Sequence, residues 1–204
     1  MLKWLRKEFE EIVEALKSGK VGDYLKAKFN QLLGREEEVF GELLDELGWE
    51  GKSASKRGKF LGREFMNNRQ MKALEKYIAE VLGDVGVIMR KGEDKFLDVS
   101  GAQAGFSPAS RELFFRKKFT FYEAFHEIQH AFEFKLLGKE VYLEGATGTL
   151  VEQFTRTYRR EKYVYDKIME KKHLFNELEL ENAEWVLGQA IKKLEKVGID
   201  YKKL

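Results

Sequence analysis

The sequence predicts an α+β chain in which helices dominate, with a small twisted antiparallel sheet beside one central helix and a short helical region ahead of both. Three patterns carry this prediction. Apolar residues recur at helical spacing along most of the 204 residues. Over one central stretch, residues 85–116, the period shortens to two and β-branched and aromatic residues collect. The later stripes open on Asn67, Thr120, Thr149 and Asn176, each followed three positions on by Gln70, Glu123, Glu152 or Glu179, the reciprocal cap of a helix start.

In residues 4–17, Leu5, Phe9, Ile12 and Leu16 form one stripe, broken at Ser18-Gly19-Lys20-Val21-Gly22. Asp23 caps a second helix carrying Tyr24, Leu25, Phe29, Leu32 and Leu33 and stopped by Gly34, and residues 36–47 repeat the pattern with Val39, Phe40, Leu43, Leu44 and Leu47. The Gly-, Ser- and Lys-rich run from Gly48 to Gly62 reads as a linker. A boundary therefore falls between a helical N-terminal region, residues 1–66, and a domain over residues 67–204. In the domain, Met71, Leu74, Ile78 and Val81 predict a helix ending at Gly83. Val85–Arg90 and Lys95–Val99 read as strands, and Gly105-Phe106 with Glu112–Arg116 as a hairpin about Ser107-Pro108-Ala109-Ser110. A strand ending just before the next helix offers an edge to an extended peptide. Gly138 predicts the stop of the helix opened by Thr120, with a loop over residues 139–148; the helix from Thr149 runs to about Lys172, and the last, from Asn176, ends at Gly198.

Composition narrows the function classes. With 43% hydrophobic and 35% charged residues the chain is an ordinary globular protein with a polar surface. The formal net charge is +2 and the two signs are interleaved, so nucleic acid is not implied. No apolar run approaches the roughly 18 residues of a membrane span, and the opening Met1–Glu8 lacks the apolar core of a signal peptide. Cysteine is absent, which leaves histidine and carboxylate as ligands for any metal.

The helix opened by Thr120 holds the chemistry. His126-Glu127-Ile128-Gln129-His130 has the form His-Glu-x-x-His, and this pair accounts for all but one of the 3 histidines. Histidines four apart lie one turn above each other, with Cβ atoms about 5–6 Å apart, so both imidazoles can reach one Zn2+. Glu127 leans toward the same face without reaching the ion, where a general base sits to take a proton from attacking water. Phe125, Ile128 and Phe132 form an apolar rib on the opposite face, with Phe119 as the outer half of a hydrophobic staple.

A catalytic zinc needs a third protein ligand. The helix from Thr149 offers Glu152 and Glu161. Glu152 already caps the helix, whereas Glu161 replaces an apolar residue in the stripe Val151, Phe154, Tyr158, Tyr165, Ile168. A carboxylate there must be paired or bound to metal, so Glu161 is either the third ligand or one half of a buried ion pair with Arg159, Arg160 or Lys135. Glu133 and Asp166 are candidates to accept a ring N–H from a liganding histidine. Tyr158, Tyr163, Tyr165 and His173 are candidate donors to an oxyanion.

The runs Glu112–Lys117, Thr120–His130, Gly138-Lys139-Glu140 and Arg160–Asp166 together resemble the zincin-type metallopeptidase toxin domains of bacterial polymorphic toxin systems, which are similar in layout to minimal gluzincins. The resemblance covers about residues 67–196 and implies a zincin-like fold, zinc on His126, His130 and Glu161, Glu127 as base, and a peptide or protein substrate. It further implies release from a larger secreted toxin, with residues 1–66 as a pre-toxin or linker segment, and a cognate immunity protein that blocks the site. Two alternatives stand beside it: a regulatory intracellular zinc peptidase, and a non-catalytic metal-binding interaction module.

Overall fold

The computed structural model describes Gly34 and residues 36–47 and 65–204. The chain divides into two compact units, residues 1–42 and 43–204. Residues 36–46 are helical, and Val39, Phe40, Leu43 and Leu47 are buried as their spacing predicts. The two earlier predicted helices and the linker lie outside the described residues.

In the second unit the elements run α1 (Asn68–Leu82), β1 (Ile88–Lys91), α2 (Asp94–Ser100), β2 (Ala104–Ser107), β3 (Glu112–Phe115), α3 (Phe121–Leu143), α4 (Leu150–Glu170) and α5 (Glu177–Lys196). The result is a mostly helical α+β fold with a small three-stranded sheet. All four reciprocal caps form, at Asn67/Gln70, Thr120/Glu123, Thr149/Glu152 and Asn176/Glu179. Each satisfies backbone N–H groups that a helix start leaves without partners. At α3, Thr120 Oγ1 accepts from the Glu123 N–H at 3.2 Å while Glu123 Oε2 accepts from the Thr120 N–H at 2.6 Å.

The sheet differs from the wholly antiparallel one predicted. Its order is β1-β3-β2, with β2 antiparallel to β3 but β1 parallel to it, so it is mixed. The hairpin forms about the predicted turn, closed by Arg111 at φ 58° and by Ser107 Oγ accepting from the Ser110 N–H. β1 then joins β3 from the far side by a crossover, a pairing that local periodicity does not encode. The stretch Lys95–Val99 is helix rather than strand. Only Leu97 of that run is buried, Gly101 ends the helix at φ 69°, and Asp94 and Asp98 are held by the Lys117 N–H and the Arg116 guanidinium.

α3 is the spine of the core. Ala124, Phe125, Ile128, Ala131 and Phe132 are buried along it, Phe115 stacks on Phe119 at 4.6 Å, and Phe106 of β2 meets Phe134 edge-on at 5.6 Å. α4 and α5 pack through Tyr158, Ala190 and Leu194. Gly138 does not end α3. It breaks the helix at φ 73°, ψ 165°, and the chain resumes helical geometry to Leu143, over part of the stretch predicted as loop. The break swings Tyr142 back against Phe134 and Phe106, with ring centroids at 5.5 and 6.2 Å.

That backbone geometry is open essentially to glycine alone, so Gly138→Ala should lower stability by about 1–3 kcal/mol. Gly188, inside α5 with open space where a Cβ would stand, has the opposite sign: Gly188→Ala should raise stability by up to about 1 kcal/mol. Urea unfolding of the two variants checks both signs.

Candidate metal centre

Capping at Thr120 and the buried rib of Phe125, Ile128 and Phe132 fix how α3 rotates about its axis, and that rotation presents His126, Glu127 and His130 on one face. Opposite them α4 supplies Glu161. Glu161 Oε2 lies 3.5 Å from His126 Nε2, and Glu161 Oε1 lies 3.6 Å from His130 Nε2. One donor atom from each residue lies within 4.8 Å of the other two. These gaps are too long for strong hydrogen bonds. They approach the edge of a tetrahedron drawn around a zinc ion, about 3.3 Å for ligands at 2.0–2.1 Å. Glu161 Oε2 and His130 Nδ1 are buried with no hydrogen-bond partner.

The electrostatics fit the geometry. Burial pushes the His126 imidazole below its ordinary value, only partly offset by Glu127 and Glu161. Burial acts the same way on His130, but there the contact with Glu161 and the charges of Glu161, Glu127 and Glu133 outweigh it, and its value rises. Burial raises the Glu161 carboxyl, which contact with His130 and the charges of His130, His126 and Lys193 more than reverse. Glu161 thus favours the protonated form of His130, and a metal bound there would compete with that proton.

Two of the ion-pair alternatives for Glu161 are taken up elsewhere, and the third, Arg159, is exposed. Arg160 Nη1 lies 2.8 Å from Glu133 Oε1, and Lys135 donates to Asp84 and to the Val81 carbonyl. Glu133 is buried one turn beyond His130. Burial pushes its carboxyl up to about 7 against the pull of Arg160 and His130, and its Oε2 is buried without a hydrogen-bond partner. The Arg160 guanidinium lies over the Tyr142 ring at 4.8 Å, so the helical turn after Gly138 closes the back of the centre.

The other predicted positions lie along α4 and just beyond it. Asp166 is paired with Lys162 at 2.6 Å on the surface of α4. Tyr158 is in the α4–α5 core against Tyr201, and His173 is exposed in a short 3-10 turn beyond α4. Tyr163 lies beneath the Lys167 ammonium, and Tyr165 is half-buried one turn beyond Glu161. Glu152 is exposed in its cap, with Oε2 accepting from the Thr149 N–H at 2.6 Å.

A cleft of about 400 Å3 opens beside the centre, lined by His126, Glu127, Tyr122, Glu179 and Asn182 among others. Tyr122 was not among the predicted site residues, although it stands four before His126 and so shares its face. Its buried hydroxyl donates to Asn182 Oδ1 at 3.1 Å. Burial and the carboxylates of Glu179, Glu161, Glu123 and Glu127 push its phenol well up, so it is neutral at physiological pH. Ala104, the first residue of edge strand β2, also lines the cleft.

A helix bearing His-Glu-x-x-His, faced by a carboxylate from a second helix and open to a cleft, is the arrangement of a metallopeptidase. The profile of one such family, metallopeptidase toxin 4, matches residues 50–194, and the chain belongs to that family. It is accordingly a peptidase, a hydrolase of protein substrates that uses a metal. No curated protein and no solved structure matches the chain. Among the described residues no helix is long and apolar enough to cross a membrane.

Glu179 yields a pH test. Burial, reinforced by Glu123, raises its carboxyl from 4.5 to about 7. Between those values the folded chain holds a proton that the unfolded chain has lost, so stability falls as pH rises through the window. Urea unfolding of the metal-free protein should show about 2–3 kcal/mol lost from this group between pH 4.5 and 8. Glu179→Gln, whose amide oxygen can still cap α5, should flatten that part of the curve.

Proposed function

We propose that the chain is a zinc-dependent endopeptidase, the effector domain of a secreted antibacterial toxin, and that His126, His130 and Glu161 hold the ion. The convergence of their three donor atoms carries this reading. Two imidazole nitrogens and one carboxylate oxygen, with no thiolate, make the donor set of a catalytic zinc that keeps a position open. Bound there, the ion supplies Lewis acidity toward a peptide carbonyl and acidifies water. Glu127, half-buried and lining the cleft, takes the proton from the attacking water and passes it to the departing amine. Glu133, one turn beyond His130 and acting on it through its charge, is the group that would orient its imidazole: Glu133 Oε2 and His130 Nδ1 are both buried without a hydrogen-bond partner. The family's toxin character supports delivery into a target cell as part of a larger protein, with a cognate immunity protein covering the cleft and residues 1–66 serving as a pre-toxin segment ahead of a domain over 67–204.

Metal analysis and peptide cleavage test the reading together. Glu127→Gln should keep its zinc and lose cleavage by at least about 100-fold, along with any growth arrest on expression in a bacterium. Glu161→Ala should lose the zinc. Full-rate cutting by the first variant, or unchanged metal content in the second, removes the corresponding assignment.

Glu133→Gln retains the packing volume, and its affinity for zinc should fall by about 10- to 100-fold. Competition with a chromophoric chelator measures this, and an unchanged affinity takes Glu133 out of the positioning role.

A further inference from the structure

The cleft beside the centre is acidic in a way that peptide hydrolysis does not require. Three carboxylates line it, Glu123, Glu127 and Glu179, and among the described residues that line it none is lysine or arginine. Glu179 is the distinctive member. It is only 6% exposed, its Oε2 accepts from the Asn176 N–H at 3.0 Å, and its Oε1 is buried with no hydrogen-bond partner. A buried carboxylate oxygen left without a donor is costly, and Glu179 is part of the cleft wall, so the cleft is where a donor can enter. Leu178 and Val186 line the same cleft on α5, and Leu178 is 58% exposed. Apolar surface beside a buried acid suits a side chain with a methylene stem and a cationic head.

We infer that this cleft receives a lysine or arginine side chain of the substrate next to the scissile bond, its head on Glu179 Oε1 and its stem along Leu178 and Val186. The inference deepens the peptidase reading and rests on it for the word substrate. The carboxyl of Glu179, raised by burial in the free protein, ionises against the incoming cation. Selection resides in Glu179, while Glu127 keeps its place as the base.

Two measurements on the full chain test this. In the first, quenched peptides that differ at a single position carry arginine, lysine, norleucine or glutamate. At one position flanking the cut, the basic residues should be preferred over norleucine by about tenfold or more in kcat/KM. Glu179→Gln should collapse that ratio toward one. In the second, Nα-acetyl-arginine amide and Nα-acetyl-norleucine amide are titrated into the protein by ligand-observed NMR. The arginine amide should bind about tenfold tighter, and the difference should vanish in Glu179→Gln. Cleavage without a basic preference, together with equal amide binding, overturns the inference and leaves the peptidase reading intact. Arginine selectivity in the titration with no peptide cut does the reverse. Equal amide binding with no peptide cut overturns the inference as well.

Discussion

Everything in this fold answers to one electrostatic constraint, the carboxylate of Glu161 set deep between two imidazoles. A carboxylate removed from water costs several kcal/mol unless a cation faces it. Two neighbouring cations are committed elsewhere, Arg160 to Glu133 and Lys135 to Asp84, and Lys193 acts on Glu161 through its charge. Against the carboxylate itself stands the histidine pair, whose nitrogens sit at 3.5 and 3.6 Å. The metal-free protein meets the constraint only in part: Glu161 favours the protonated form of His130, and Glu161 Oε2 is left without a hydrogen bond. A divalent ion held by these three residues, as proposed, would meet it directly.

Such a constraint requires rigid supports, and the sequence spends its most aromatic stretch on them. Phe115, Phe119, Phe121 and Phe132 are each 2% exposed or less around the N-terminal half of α3. They lock the rotation of the helix from behind, and the Thr120 cap locks its start. The C-terminal support is less usual. Because Gly138 breaks α3 in a backbone region that other residues avoid, the following turn folds Tyr142 across the Arg156 and Arg160 guanidinium groups, at 5.3 and 4.8 Å from its ring. Arg160 in turn pairs with Glu133, which is buried one turn beyond His130. The kink is therefore packed against the residues that hold Glu133 in place.

Local rules made much of this legible in the sequence. The four reciprocal caps, the apolar stripes and the histidine spacing all depend on residues within a turn of one another. Glu161 was legible for a related reason, as a charge standing in an apolar stripe. Asp166 had no comparable signal, and Lys162 holds it at the surface. The failures share a non-local origin. Lys95–Val99 carries strand-like residues, but the partners of Asp94 and Asp98 at Lys117 and Arg116 lie beyond the hairpin and stabilise helix instead. The parallel pairing of β1 with β3 spans the same interval. Arg160 and Glu161 are adjacent in sequence, yet about 100° apart around the helix, and only packing reveals that one turns to Glu133 and the other to the histidines. Tyr122 and Glu179 meet across α3 and α5, which no single stripe records.

The two ends of the site are polarised. Behind His130 lie the Arg156 and Arg160 guanidinium groups, and in front of His126 lie the carboxylates of the cleft. Of the arginines behind, Arg160 pairs with Glu133, which leaves Glu161 facing the two histidines. Had Arg160 paired with Glu161 instead, the same residues would have made a closed ion pair and an ordinary core. One arginine turning toward Glu133 thus leaves Glu161 to face the histidines, the arrangement on which the proposed metal site depends.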